Sequence, residues 1–128
     1  MSSTQTTVQD PAQVEQLARI RIPKSATDVH CVYDSGGIDQ MIYGRFDVPE
    51  ADLPQILEAM PEGYQVSSNG EHSSVMIHKI DDSWWKPSDL QSPQAAEWTL
   101  PGPFAVNLLF GKTAKSDVLT VYFFNFSM

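Results

Sequence analysis

His30 and Cys31 stand side by side, the pairing a cysteine nucleophile would need with its base. They fall in "DVHCVY", a run that reads as a strand, where neighbours point to opposite faces. They therefore cannot form a dyad, and Cys31, sharing a face with Val29 and Tyr33, reads as a buried structural thiol. His72 and His78 have even spacing, with Asp81 and Asp82 close by, but the interval matches no standard metal motif. A hydrogen-bonded strand histidine is the simpler reading of His78. Asp81-Asp82 offers paired acids, yet adjacent side chains diverge on an extended chain, so solvated loop acids fit better. Gly111-Lys112-Thr113 copies the end of a phosphate-binding loop without its upstream glycine or following helix, and so lacks the cradle of N–H groups. Asn125-Phe126-Ser127 is a glycosylation sequon inside an apolar strand. No catalytic, cofactor-binding or metal-binding residue is assigned from the sequence, and enzyme chemistry has little positive support.

The stretch "DDSWWKPSDL" carries two adjacent tryptophans. If the preceding strand continues, Trp85 follows the parity of Val75 and Ile77 and enters the helix-covered core, while Trp84 shares parity with Met76, His78 and Ile80 on the other side. A contact surface built from Trp84 or Trp85, Tyr43, Arg45 and the aromatic face of the last strand, Tyr122 and Phe124, is the candidate site, because aromatics and arginine concentrate binding energy. Against it stands the ordinary use of aromatic rings as core.

The elements that position these residues follow from periodicity. Residues 1–9 are rich in Ser, Thr and Gln and read as a flexible tail, leaving 10–128 as one domain. "DPAQVEQLA" reads as a short helix with Asp10 as N-cap, Pro11 at the first position, Gln13 completing a capping box, and Val14, Leu17 and Ala18 as its apolar stripe. A strand over 28–33, a "DSGG" turn and an alternating strand over 39–48 make a hairpin. Ile42, Gly44, Phe46 and Val48 take one of its faces, and Met41, Tyr43, Arg45 and Asp47 the other. Asp52 is the expected N-cap of a helix reaching Met60, with Leu53, Ile56, Leu57 and Met60 on one side. Asn69-Gly70 predicts a tight hairpin between strands at 63–68 and 73–80. "WWKPSDLQSPQ" reads as an irregular connection broken by Pro87 and Pro93, followed by a short strand "AEWTL" and the turn "PGP". "FAVNLLF" and "VLTVYFFNF" close the chain as two apolar strands; the last is apolar on both faces and should be central.

The expected architecture is α+β: an antiparallel sheet of about five to six strands, one amphipathic helix on a face and a short N-terminal helix docked at an edge. A chain of 128 residues fits one core, and 41% hydrophobic residues is not the composition of a disordered chain. Sixteen acids against eight bases give a net charge of −8, which disfavours nucleic acid and acidic lipid and favours a basic partner or an uncharged one. The single cysteine allows no internal disulfide, and no apolar run approaches the roughly 18 residues of a membrane span. The opening "MSSTQTTVQD" is not a signal peptide as it stands. An export signal preceding it would place the chain in the periplasm or envelope, and otherwise it would be cytoplasmic.

"IPKSATDVHCVYDSGGIDQMIYGRFDVPEADLPQIL", then "WWKP", "LPGPFAVNLLF" and "VLTVYFFNF", occur in an order that resembles a family of small bacterial proteins, many of them signal-bearing or lipoprotein-like. The resemblance spans roughly residues 20–126. It implies an envelope-associated protein with no assigned reaction, and it brings no catalytic residues. The function expected is a non-enzymatic binding or accessory domain that contacts another protein. The alternative is an acidic inhibitor of the immunity-protein, antitoxin or phage-encoded kind, directed at a basic partner. A third reading, a small hydrolase or carrier built on His78, requires a deep pocket there.

Overall fold

The computed structural model describes residues 5–34, 40–60, 65–67, 73–77, 80, 82–113 and 117–127. Seven strands form one antiparallel sheet: β1 (Gln5–Val8), β2 (Thr27–Asp34), β3 (Met41–Pro49), β4 (Gln65–Ser67), β5 (Gln91–Leu100), β6 (Phe104–Lys112) and β7 (Val118–Ser127). Their spatial order is β1-β2-β3-β7-β6-β5-β4. The α+β class with an antiparallel sheet is thus as expected, but the sheet has seven strands where about five to six were anticipated. One of the additional strands is β1, which pairs Gln5–Val8 with Asp34–Cys31 in a segment whose composition pointed to a flexible tail. Val8 alone anchors it in the core, while the other three residues stay exposed, so little in the sequence marks it as a strand.

Helix α1 (Pro11–Ala18) begins as its sequence dictates: Asp10 accepts the Ala12 N–H at 3.3 Å, and Pro11 occupies the first turn. Val14 and Ala18 are wholly buried, so α1 lies on the sheet and not at its edge. A 3-10 turn (Glu50–Asp52) leads into α2 (Leu53–Glu58). Asp52 is therefore already helical and makes no N-cap bond; its carboxylate instead takes Gln55 Nε2 at 3.1 Å and the Ser25 hydroxyl. Ile56 is buried, and Leu53, Leu57 and Met60 pack beside it. Together α1 and α2 cover one face, whose core includes Cys31, Ile42, Phe46, Val48, Leu108, Val121 and Phe123.

The expected hairpin of 63–68 with 73–80 does not form. β4 pairs with β5, and Ser74–Ile77 is a single turn of helix, α3. Ser73 explains the switch: its hydroxyl accepts the Val75 N–H at 3.1 Å and its carbonyl the Met76 N–H at 3.0 Å, an N-cap that closes a helical turn. Asn69-Gly70 and the turn at 35–37 lie outside the described residues. β5 is longer than "AEWTL" because it accommodates Pro93 at a register shift between Gln91 and Gln94, with Ser92 in the left-handed region (φ 46°). β7 is the central strand, as its two apolar faces require, paired with β3 on one side and β6 on the other. The Gly111-Lys112 pair ends β6, where Lys112 pairs with Glu50.

Candidate interaction surface

The second face of the sheet carries all six residues singled out from the sequence. β3 alternates Met41, Tyr43, Arg45 and Asp47 onto it; β7 adds Thr120, Tyr122, Phe124 and Phe126. Trp84 and Trp85 arrive from above, where Ser83-Trp84 forms a turn and the Trp85 N–H bonds the Asp82 carbonyl at 3.0 Å. The segment 82–86 is not a strand, so alternation fails, and both tryptophans face the same side of the sheet. Trp85 is buried, as expected, but in this second core and not in the one under α1 and α2.

The rings form a continuous array. Trp85 meets Tyr122 edge-on at 5.2 Å between centroids and Tyr43 at 5.7 Å, while Tyr43 stacks on Phe124 at 6.1 Å. Trp84 stacks on His30 at 5.3 Å and on Tyr43 at 6.0 Å. Tyr43, Trp85, Tyr122 and Phe124 are at most 6% exposed and so act as a packed base. Trp84 and Arg45 are half-buried and form the part of the array that reaches solvent.

A polar network borders the rings. Asp28 adopts φ 52° at a register shift in β2, a conformation aspartate tolerates better than most residues. This turn brings its carboxylate to His30 Nε2 at 2.9 Å and to the Arg45 guanidinium at 3.1 Å. Arg45 also holds both Asp47 oxygens, at 3.0 and 3.2 Å, and Asp47 accepts the Thr120 hydroxyl at 2.7 Å. The Arg45 guanidinium lies 5.6 Å from the Tyr122 ring centre, and among the described residues its buried Nε has no partner. The Lys86 N–H donates to the Tyr122 hydroxyl at 3.2 Å, and the Tyr43 hydroxyl donates to Asp82 at 3.1 Å, pinning the tryptophan corner to the sheet.

Burial, then the charges of Asp82 and Asp34, push the Tyr43 phenol up to about 12. Burial likewise raises Tyr122, against the opposing Arg45 charge. Cys31, on the other face, is pushed up to about 12 by burial, which makes it a poor nucleophile at neutral pH. Asp28 was not singled out from the sequence, and His30 and Asp82, weighed there as a nucleophile's base and a paired acid, were not assigned to this surface. His30 was legible as the residue opposite Arg45 on the neighbouring strand; Asp28 was not, because a positive-φ register shift brings it here, nor was Asp82, because its turn depends on tertiary contacts. His72, His78 and Asp81 lie outside the described residues. Among the described residues no three metal-ligating side chains converge, and no helix is long and apolar enough to cross a membrane.

A separate open cleft of about 850 Å³ lies between the start of α1 and residues 21–26, bordered by Asp10, Glu15, Arg21, Lys24 and Asp52. Its chemistry is largely engaged internally: Glu15 accepts the Ile22 N–H at 2.7 Å and Asp52 holds Ser25. No protein-family model, curated protein or solved structure matches the chain.

Proposed function

We propose that this chain is a non-enzymatic binding or accessory domain that contacts another protein through Trp84 and the Arg45 border beside it. The observation that carries this reading is the division of labour among the rings: four aromatics are packed rigidly, and on them stands one half-buried indole. A rigid aromatic presented on a fixed base loses little entropy on binding, which is why such residues become binding hot spots. The resemblance of residues 20–126 to small signal-bearing bacterial proteins adds an envelope location to the proposal. A second reading, an acidic inhibitor of a basic protein, draws on the net charge of −8 and the carboxylates around Trp84.

The test replaces Trp84 and Trp85 singly with alanine. Trp85→Ala should cost about 3–5 kcal/mol, as loss of a buried ring does, and Trp84→Ala distinctly less. If both variants lose several kcal/mol in thermal unfolding, Trp84 is core and the contact surface is abandoned. Capture of a partner that weakens steeply with salt favours the inhibitor; capture unchanged at high salt removes a charge-led interface.

A further inference from the structure

We infer that the surface at Trp84 receives a cationic side chain, an arginine in particular, from a basic partner protein. This rests on the binding-surface reading above and names the chemistry of its occupant. Trp84 is half-buried, and an indole is the strongest aromatic for contact with a cation. Two carboxylates border the rings it stacks on. Asp82 precedes it by two residues, and Asp28 reaches it through His30, which stacks on the indole while lying 2.9 Å from the Asp28 carboxylate. Asp47 lies beyond Arg45. Among the described residues Asp28, Asp47 and Asp82 stand here against the bases Arg45 and the exposed Lys86.

Asp28 decides the polarity of the occupant. Its side chain is 52% exposed although it already serves His30 with one oxygen and Arg45 with the other. A carboxylate offers about four lone-pair sites, so it can accept a further donor from outside. A planar guanidinium can lie on the indole and direct its N–H groups in plane at a carboxylate, which a compact ammonium cannot do at once. An acidic or phosphorylated partner would meet repulsion from Asp28 and Asp82.

The test uses the full chain and four short peptides of equal length: arginine-rich, lysine-rich, glutamate-rich, and uncharged tyrosine-rich. The indole N–H signal of Trp84, assigned with Trp84→Phe, reports the site by NMR, and titration calorimetry reports the affinity, including that of variants without the indole. The arginine peptide should shift it saturably, bind more tightly than the lysine peptide and weaken as salt rises. Asp28→Asn and Trp84→Leu should each weaken it by about tenfold, or 1.4 kcal/mol. If either variant fails to fold, Asp82→Asn and Trp84→Phe supply the comparison. Equal arginine binding by wild type and variants would mean general charge attraction and overturn the inference. A shift with the tyrosine peptide but not the arginine peptide would overturn the cation and leave the binding surface standing. No shift with any peptide would overturn both.

Discussion

Asn125, buried in the central strand, donates from Nδ2 to the carbonyl of Ala18 at 2.8 Å, joining residues 107 positions apart. Ala18 is the last residue of α1, so its carbonyl has no partner within the helix. The other end of the same amide accepts the Asn107 N–H at 2.9 Å, and Asn107 Nδ2 returns to the Phe124 carbonyl at 2.9 Å. Two asparagines thus bridge the β6–β7 ladder and fasten α1 over it. Asn125→Leu keeps the branching of the side chain and leaves two buried backbone groups without partners. The expected loss is roughly 2–6 kcal/mol, at about 1–3 for each group. A lowered urea midpoint with unchanged slope is the outcome to look for; a midpoint equal to wild type would mean water or a shifted backbone replaces the amide. The same burial makes the sequon at Asn125 inaccessible in the folded chain.

Gly44 faces Cys31 on β2 and Phe123 on β7. A β-carbon placed there would overlap the His30 carbonyl oxygen and sit 2.7 Å from Phe123 Cζ. The ring can swing aside, but the carbonyl is backbone in a paired strand and cannot. Gly44→Ala should therefore destabilise at the upper end of the overpacking range, about 3 kcal/mol, with the β2–β3 amides losing hydrogen-exchange protection first. A variant as stable as wild type would show that β2 can separate locally from β3 at no cost.

What the sequence made legible was local. The N-cap and proline of "DPAQVEQLA" act within one turn, and the alternation of 41–48 sorts Ile42, Phe46 and Val48 from Tyr43 and Arg45 without knowledge of any partner strand. The double-sided apolar pattern of 118–126 likewise placed β7 at the centre. What failed depended on competition between local and distant bonds. Val75, Met76 and Ile77 suit a strand, but the Ser73 hydroxyl intercepts an N–H and turns the chain. β1 has one buried residue and owes its place to the edge of β2. Of the site, Tyr43, Arg45, Tyr122 and Phe124 could be grouped by parity, whereas Trp84 and Trp85 could not, since both hang from a corner fixed by Asp82, Tyr43 and Tyr122.

Cys31 is 1% exposed and its thiol is pushed up to about 12 by burial. At neutral pH a thiolate is scarce, and a reagent must await an opening of β2 to reach it. An aromatic disulfide reagent should react very slowly with the native chain and fully in urea. Gly44→Ala, which strains the backbone beside Cys31, should speed the reaction in proportion to its loss of stability. Rapid labelling of the native wild type would place Cys31 at a mobile edge and contradict its position in the core.

Tyr43 gives the fold an alkaline limit. The folded chain favours the neutral phenol because it is buried, donates to Asp82 and faces the charges of Asp82 and Asp34. Unfolding returns it to the ordinary value of 10.0 from about 12. A raised value means the folded state holds its proton more tightly, so the stabilisation is complete below the ordinary value and is lost as pH climbs towards about 12. Tyr122, raised in the same direction by burial, adds to the fall. Urea unfolding followed across that window should show wild-type stability declining more steeply than that of Tyr43→Phe, which lacks the Asp82 bond at every pH and has no phenol to ionise at that position. Parallel declines would assign the alkaline loss to other groups. Phenolate absorbance offers a direct check: Tyr43 and Tyr122 should ionise late in the folded chain, and their appearance near the ordinary value would mean the aromatic base under Trp84 is open to water.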